Sequence, residues 1–317
     1  MTPSPASPTR LRIGLFGGAT GPTDGGAGDA VSSLVDAAMA AEAEGFPSFW
    51  TSQIFTVDAL TALALAGART STIELGTAVV PIHPRHPHAL AQQALTVNAA
   101  VGGRLALGIG LSHQIVVESM WGLSFERPYT YMCQYLDALL PLLHDQAVAT
   151  EGDMVTVRAQ VQLPGAPAPA VLLAALGERM LRLAGERTAG TITWMTGPST
   201  LRDHIVPTIT SAAEGAGRPV PRVIAGFAVC VTDDAAAARS SAAETFAVYG
   251  QLPSYRAMLD REGAAGPADV AIVGDEKEVA ARFEELEAAG VTDLGVAAFG
   301  SDEDRARSRA FLRERLT

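Results

Sequence analysis

The sequence has few cysteines, few cationic side chains and no long apolar run, and each shortage excludes something. Cys133 and Cys230 are its only cysteines in 317 residues, far apart and without CxxC spacing. A disulfide framework and a thiolate zinc site are therefore not expected, and a reducing, cytoplasmic location is. Lys and Arg number 23 against 34 Asp and Glu, a net charge of −11. Nucleic acids and anionic membranes are bound mainly through cationic contacts with phosphate, so neither is expected as a partner. No stretch approaches the ~18 uninterrupted apolar residues of a membrane span. The opening residues, MTPSPASPTR, lack the apolar core of a secretory leader. Their Pro and Ser content predicts a disordered tail over residues 1–10. GxSxG, Walker A and HExxH motifs are all missing, which leaves nucleophilic and zinc hydrolysis without support.

What is present is an alternation. Hydrophobic residues make 48% of the chain and charged ones 18%, enough for a large core. Short apolar runs predict strands at Leu11–Gly18, Phe49–Ser52, Ile73–Val80, Arg104–Gly110, Ala170–Leu176, Thr191–Met195, Val223–Val231 and Thr292–Phe299. Between and after them lie helical stretches at Ala30–Gly45, Asp58–Thr70, Pro87–Ala100, Glu178–Thr188, Thr200–Gly215, Ala235–Tyr249, Glu276–Ala289 and Asp302–Leu316. Eight right-handed βα units close naturally into a ring, so the predicted fold class is α/β, a (β/α)8 TIM barrel forming one domain over residues 11–317. An open doubly wound sheet is the alternative, but its usual strand number is about five or six. Two insertions break the rhythm. Residues 115–165, after strand four, carry a helix at Tyr129–Leu143 and a strand-like piece at Met154–Gln162. Residues 252–267 follow strand seven. Both lie past strand ends where barrel sites are built, and such segments commonly serve as lids or pocket walls.

Several segments invite chemistry. Gly108-Ile109-Gly110-Leu111-Ser112-His113 follows strand four but lacks the third glycine of a dinucleotide fingerprint. Gly110 and Ser112 then read as a strand-end turn where the backbone passes close to something, often a cofactor or phosphate in a barrel. His83, His86 and His88 stand close together, but the intervening prolines splay them and no acid lies near. No metal site is predicted there; a basic loop meeting an anionic tail and a solvated turn both remain open. The mixed charges of Asp302–Arg313 read as a solvated outer helix.

A family resemblance emerges from Leu75-Gly76-Thr77-Ala78-Val79-Val80-Pro81-Ile82, Arg85-His86-Pro87, Ala91-Gln92-Gln93 and Gly102-Gly103-Arg104-Leu105-Ala106-Leu107-Gly108-Ile109-Gly110. Ala41–Phe46, Phe49-Trp50, Glu118–Leu123, Arg127-Pro128 and Val171–Met180 continue it. In order and spacing these segments resemble the luciferase-like monooxygenase superfamily, and within it the branch that uses the deazaflavin coenzyme F420. The likeness runs over residues 11 to about 300.

The resemblance implies a (β/α)8 barrel, a homodimer built on the Ala-rich helices Asp58–Thr70 and Pro87–Ala100, and a small organic substrate. It implies hydride transfer between the deazaflavin C5 and that substrate, in the sense of reducing a C=C or C=N bond. An FMN-dependent monooxygenase and a non-catalytic cofactor-binding barrel are the alternatives. A non-prolyl cis peptide on strand three backs the ring in such relatives; by position it falls at Ala78–Val79. Ser52 and Gln53 stand where many relatives carry an acid and a histidine, and His113 stands where some sugar-oxidising relatives carry a catalytic Glu. His113 is then either a proton donor or a hydrogen-bond partner of the cofactor. Leu176, Gly177 and Arg179 begin the helix after strand five and suit the cofactor's anionic tail. Trp194 and Met195, ending strand six, suit an apolar wall beside the ring. Trp121, Phe125, Tyr129 and Tyr131 suit either the substrate pocket or a dimer interface.

Overall fold

Side-chain caps cut the chain into its elements. Asp29, Asp58, Asp234, Asp275 and Ser301 each accept a backbone N–H at a helix start, which satisfies donors that the helix itself leaves unpaired. The computed structural model describes residues 11–17 and 29–316. The proposed tail over residues 1–10 lies outside the described residues, as does Gly18.

The first half runs β1 (Arg12–Gly17), α1 (Ala30–Ala43), β2 (Ser48–Thr51), α2 (Ala59–Gly67), β3 (Glu74–Thr77), β4 (Val80–Pro81), α3 (Pro87–Ala100) and β5 (Leu105–Gly110). A π-helical turn, Val116–Met120, leads to α4 (Pro128–Leu143) and the hairpin β6 (Val148–Glu151) and β7 (Thr156–Ala159). Then come β8 (Ala170–Ala174), α5 (Glu178–Arg187), β9 (Gly190–Trp194), α6 (Pro198–Thr200), α7 (Val206–Gly215) and β10 (Arg222–Val231). The chain closes with α8 (Ala235–Thr245), α9 (Pro253–Glu262), α10 (Pro267–Val270), β11 (Ile272–Gly274), α11 (Glu276–Ala288), β12 (Asp293–Ala298) and α12 (Asp302–Arg313).

Eight parallel strands, β1-β2-β3-β5-β8-β9-β10-β12, form a closed ring, with β12 returning to β1 through Arg12↔Asp293 and Gly14↔Gly295. This is the TIM barrel expected from the alternation. Four details depart from that expectation. The third barrel strand is interrupted at Ala78–Val79, and β4 resumes beyond it by pairing with β5. The piece expected at Met154–Gln162 is half of an antiparallel hairpin. Helix α8 stops at Thr245 rather than Tyr249. β11, three residues long, pairs with Val229–Val231 of β10 and is too short to register as an apolar run.

The ring interior is filled by large side chains set against glycines. Trp50, Ala106, Leu172, Ile192 and Ile224 form one inner cluster, with Phe16, Ala78, Val79 and Ala174 against it. A Cβ on Gly76 would stand 2.1 Å from the Trp50 ring, one on Gly295 2.0 Å from Phe16, and one on Gly226 2.8 Å from Trp194. Interiors as dense as organic crystals admit no such overlap, so each aromatic occupies the space its neighbouring strand leaves free. A second, larger core lies between the strands and the helices around them.

The bottom of the barrel is sealed by charge. Arg222 holds Glu74 with two hydrogen bonds, at 2.8 and 2.9 Å, and Asp293 at 2.7 Å. Arg12 adds a contact to Asp293 at 3.1 Å, and Thr292 donates to the same carboxylate at 2.7 Å. Planar bidentate pairing suits guanidinium and carboxylate. Asp293 is only 2% exposed, so it depends on these donors. Arg222→Met is expected to lower unfolding stability by about 2–3 kcal/mol, because it removes the bidentate partner of Glu74 and leaves buried Asp293 with only Arg12 and Thr292. Denaturant unfolding measures it; an unchanged midpoint would show that the network contributes nothing.

Candidate active site

The C-terminal ends of the barrel strands open into one cavity of about 480 Å³. Its floor is made by Phe16, Ala78, Val79, Ala174, Ile192 and Trp194. Three loops raise its walls: Ser52–Phe55 after β2, the stretch from Ser112 to Trp121 after β5, and the stretch from Val248 to Tyr255 after β10. The two predicted insertions thus both supply wall residues.

The floor depends on how β3 meets β5. The Ala78–Val79 peptide bond is cis, at the position the resemblance assigns. Ala78 N–H donates to Thr51 at 2.8 Å and Gln53 N–H to Val79 at 3.4 Å, so β2 holds one side of this turn. On the other side Thr77 Oγ1 donates to the Gly108 carbonyl at 2.7 Å. A Cβ on Gly108 would lie 2.0 Å from the Thr77 carbonyl oxygen, and one on Gly110 2.7 Å from Val79 Cγ2. The glycines of this segment therefore make room for the chain's own third strand. Gly110, assigned from the sequence as a cofactor contact, is fully enclosed in β5 and is not among the residues lining the cavity.

The polar groups at the cavity are few. Ser52, Gln53, Ser112, His113, Thr193, Tyr249 and Tyr255 line it, with the Trp194 indole. Gln53 Oε1 accepts the Ala59 N–H at 3.2 Å, which fixes the side chain at the start of α2. Ser112 has φ +63° and turns the chain sharply out of β5. His113 then starts the next helical turn, its carbonyl accepting N–H groups from Val116 and Val117 at 2.9 and 3.0 Å. Its imidazole lies 5.7 Å from the Tyr255 ring. Burial pushes the His113 pKa below its ordinary 6.5, so the ring is neutral at pH 7. Burial raises Tyr249 and Tyr255, so both hydroxyls stay protonated. Thr193 Oγ1 and Trp194 Nε1 are buried and have no protein partner. Buried polar atoms are normally paired, so these two are exceptions within the packed wall behind the cavity lining.

Other sequence-derived assignments fall elsewhere. Met195 is 2% exposed and packs with Ala228, Cys230 and Phe246 behind the strands, not against the cavity. Its φ of +47° turns the backbone at the end of β9, and Trp194 packs against the same cluster from the cavity side. Leu176, Gly177 and Arg179 also lie off the cavity lining. The Leu176 carbonyl takes a hydrogen bond from His204 at 2.8 Å, and Arg179 rests 4.0 Å over the Tyr129 ring. Gly177 opens α5 with no side-chain cap and space around it. Of the aromatic residues in the first insertion, Trp121 lines the cavity, whereas Phe125 and Tyr131 stack on His83 at 5.3 and 4.7 Å. Arg85 pairs with Asp58, and His86 caps α3. No metal-binding cluster occurs among the described residues. Tyr249 and Tyr255 were missed because one sat in an expected helix and the other beyond Pro253; two tyrosines bracketing a helix break were the available signal.

The family model of luciferase-like monooxygenases matches residues 11–293, and the chain belongs to that family. It is 30% identical over 247 residues to a 5,10-methylenetetrahydromethanopterin reductase of Methanolobus tindarius, spanning 76% of this chain and 75% of the relative. It is 31% identical over 203 residues to an F420-dependent glucose-6-phosphate dehydrogenase of Nakamurella multipartita, spanning 59% of each. The structure of a coenzyme F420-dependent tetrahydromethanopterin reductase from Methanopyrus kandleri superposes with a TM-score of 0.77 and 22% identity, covering 96% of this chain and 98% of that one.

The two kinds of glycine separate experimentally. Gly108→Ala drives a methyl into the Thr77 carbonyl and is expected to cost about 1–3 kcal/mol. Gly177→Ala meets nothing within 4 Å and is expected to leave unfolding stability unchanged within about 0.5 kcal/mol. Equal effects in denaturant unfolding would contradict the described packing of β3 on β5.

Proposed function

We propose that this chain is a coenzyme F420-dependent oxidoreductase acting on a small organic molecule, in the direction of reducing a C=C or C=N bond. The observation that carries the reading is a largely apolar cavity at the barrel mouth, floored by the Ala78–Val79 turn and bordered by a few polar side chains such as Gln53 and Ser112. A flat heterocycle with polar edges fits that combination: small Ala78 permits contact with its face, and the Gln53 amide can bond its edge. Family membership and the F420-dependent relative add support. When bound, the deazaflavin supplies a carbon that gives or takes hydride.

The residues present divide the remaining work. Val79, Ala174 and Ile192 exclude water from the floor. Gln53, fixed through its Oε1, leaves its amide N–H groups to orient a bound carbonyl or ring edge. Leu176, Gly177 and Arg179 are proposed to meet the anionic tail outside the cavity, where α5 offers free N–H groups. His113, Ser52 and Ser112 are the groups able to hold or pass a proton near the reacting atom. Holding donor and acceptor roughly 3–3.5 Å apart is the main contribution expected of the protein.

Titration with the deazaflavin and with FMN, followed by tryptophan quenching, tests this directly. Saturable quenching by the deazaflavin is expected, reduced in Trp194→Phe, where Trp121 remains at the cavity to report binding. Quenching by FMN alone would favour the monooxygenase reading. Tight deazaflavin binding without any hydride transfer would favour a binding protein.

A second prediction concerns pH. The His113 pKa is depressed, so the neutral ring persists through pH 7 and is lost only as pH falls below 6.5. Single-turnover hydride transfer should therefore be flat above pH 7 and change on acidification. His113→Asn should slow it and flatten that acid limb; an unaltered profile would remove His113 from the reaction.

A further inference from the structure

We propose that the cavity admits an uncharged, ring-bearing organic substrate and rejects substrates whose carboxylate, phosphate or sulfonate would have to enter it. This deepens the proposed function by naming a substrate class, but its physical basis is independent of which cofactor is used.

Among the described residues, no Asp, Glu, Lys or Arg lines the cavity. The nearby guanidinium groups are engaged elsewhere, Arg85 with Asp58 and Arg179 over Tyr129. His113 is neutral at pH 7 and the two tyrosines are protonated, so the titratable lining groups carry no charge either. An anionic group entering this space would lose water and find no opposite charge, a strongly unfavourable exchange.

A second observation gives the positive half. The apolar surface continues outward from the floor to the rim. Ile54, Phe55, Ile115, Met120 and Val248 all line the cavity and are 50–62% exposed. Isolated exposed hydrophobic residues need no explanation, but a set gathered around one opening marks a site of apolar contact. Inside the rim, Tyr249 and Tyr255 meet edge to face at 5.2 Å, and the His113 ring stands beside Tyr255. Their ring faces suit a flat neutral guest, while its polar atoms meet the few hydroxyl and amide groups between.

The test uses the full chain and two fluorescent probes with the same ring system, neutral N-phenyl-1-naphthylamine and anionic 1-anilinonaphthalene-8-sulfonate. The neutral probe is expected to bind about tenfold tighter or more. Phe55→Asp and Val248→Asp, both at exposed rim positions, should each weaken the neutral probe about tenfold while leaving thermal unfolding unchanged. Equal or tighter binding of the sulfonate overturns the inference, as does neutral binding unmoved by both substitutions. Deazaflavin and FMN titrations run alongside keep the two claims apart. A chain that binds deazaflavin but prefers the sulfonate loses only the substrate class. A chain that binds neither cofactor yet prefers the neutral probe loses only the proposed reaction.

Discussion

Space inside a ring of eight strands is the constraint on which this structure depends. The interior is too narrow for large side chains on every strand at one level, and this chain resolves the conflict by alternation. Trp50 lies against Gly76, Phe16 against Gly295 and Trp194 against Gly226, each pair on neighbouring strands. The same device recurs higher up, where Gly108 and Gly110 receive the turn at Thr77–Val79. Because that turn is the cavity floor, packing and site geometry are one problem. Any side chain added to β5 at these positions is transmitted to the surface on which a ligand would rest.

Charge is distributed with similar economy. The lower end of the ring holds Arg12, Glu74, Arg222 and Asp293 in one hydrogen-bonded network. The upper cavity has no charged lining residue among those described. The lower network fixes four strands at the end where a barrel needs stability and no chemistry. The upper end keeps a low-dielectric space in which a few dipoles, such as the Gln53 amide, act more strongly than they would in water.

The barrel was legible because its strands are continuous apolar runs and its helices are capped by residues visible in the sequence, Asp58, Asp275 and Ser301 among them. What escaped was either short or non-local. β11 has three residues and the hairpin strand β6 four, while its partner β7 falls inside the expected piece at Met154–Gln162. Ser52, Gln53, Ala78, Val79, Ser112, His113 and Trp194 could be named as neighbours and do meet at one cavity. Phe16, Thr193, Tyr249 and Tyr255 could not, since their presence there depends on strand parity and on where the second insertion folds back. Met195 shows the limit of reading by adjacency. It follows Trp194 directly, yet it joins the cluster behind the strands and is not among the cavity-lining residues, since successive residues along a strand face opposite sides.

The glycines of β5 carry a wider lesson about inferring ligands from backbone freedom. A glycine shows that something approaches closely, but sequence cannot tell whether that is a ligand or the chain itself. At Gly108 the answer is the Thr77 carbonyl at 2.0 Å from a would-be Cβ; at Gly177 no protein atom lies within 4 Å. Only the second leaves room for a guest, and it sits at the start of a ten-residue helix whose first N–H groups lack a side-chain cap. A glycine whose Cβ would strike protein therefore reports packing, whereas one facing open space beside unpaired donors leaves a ligand role possible.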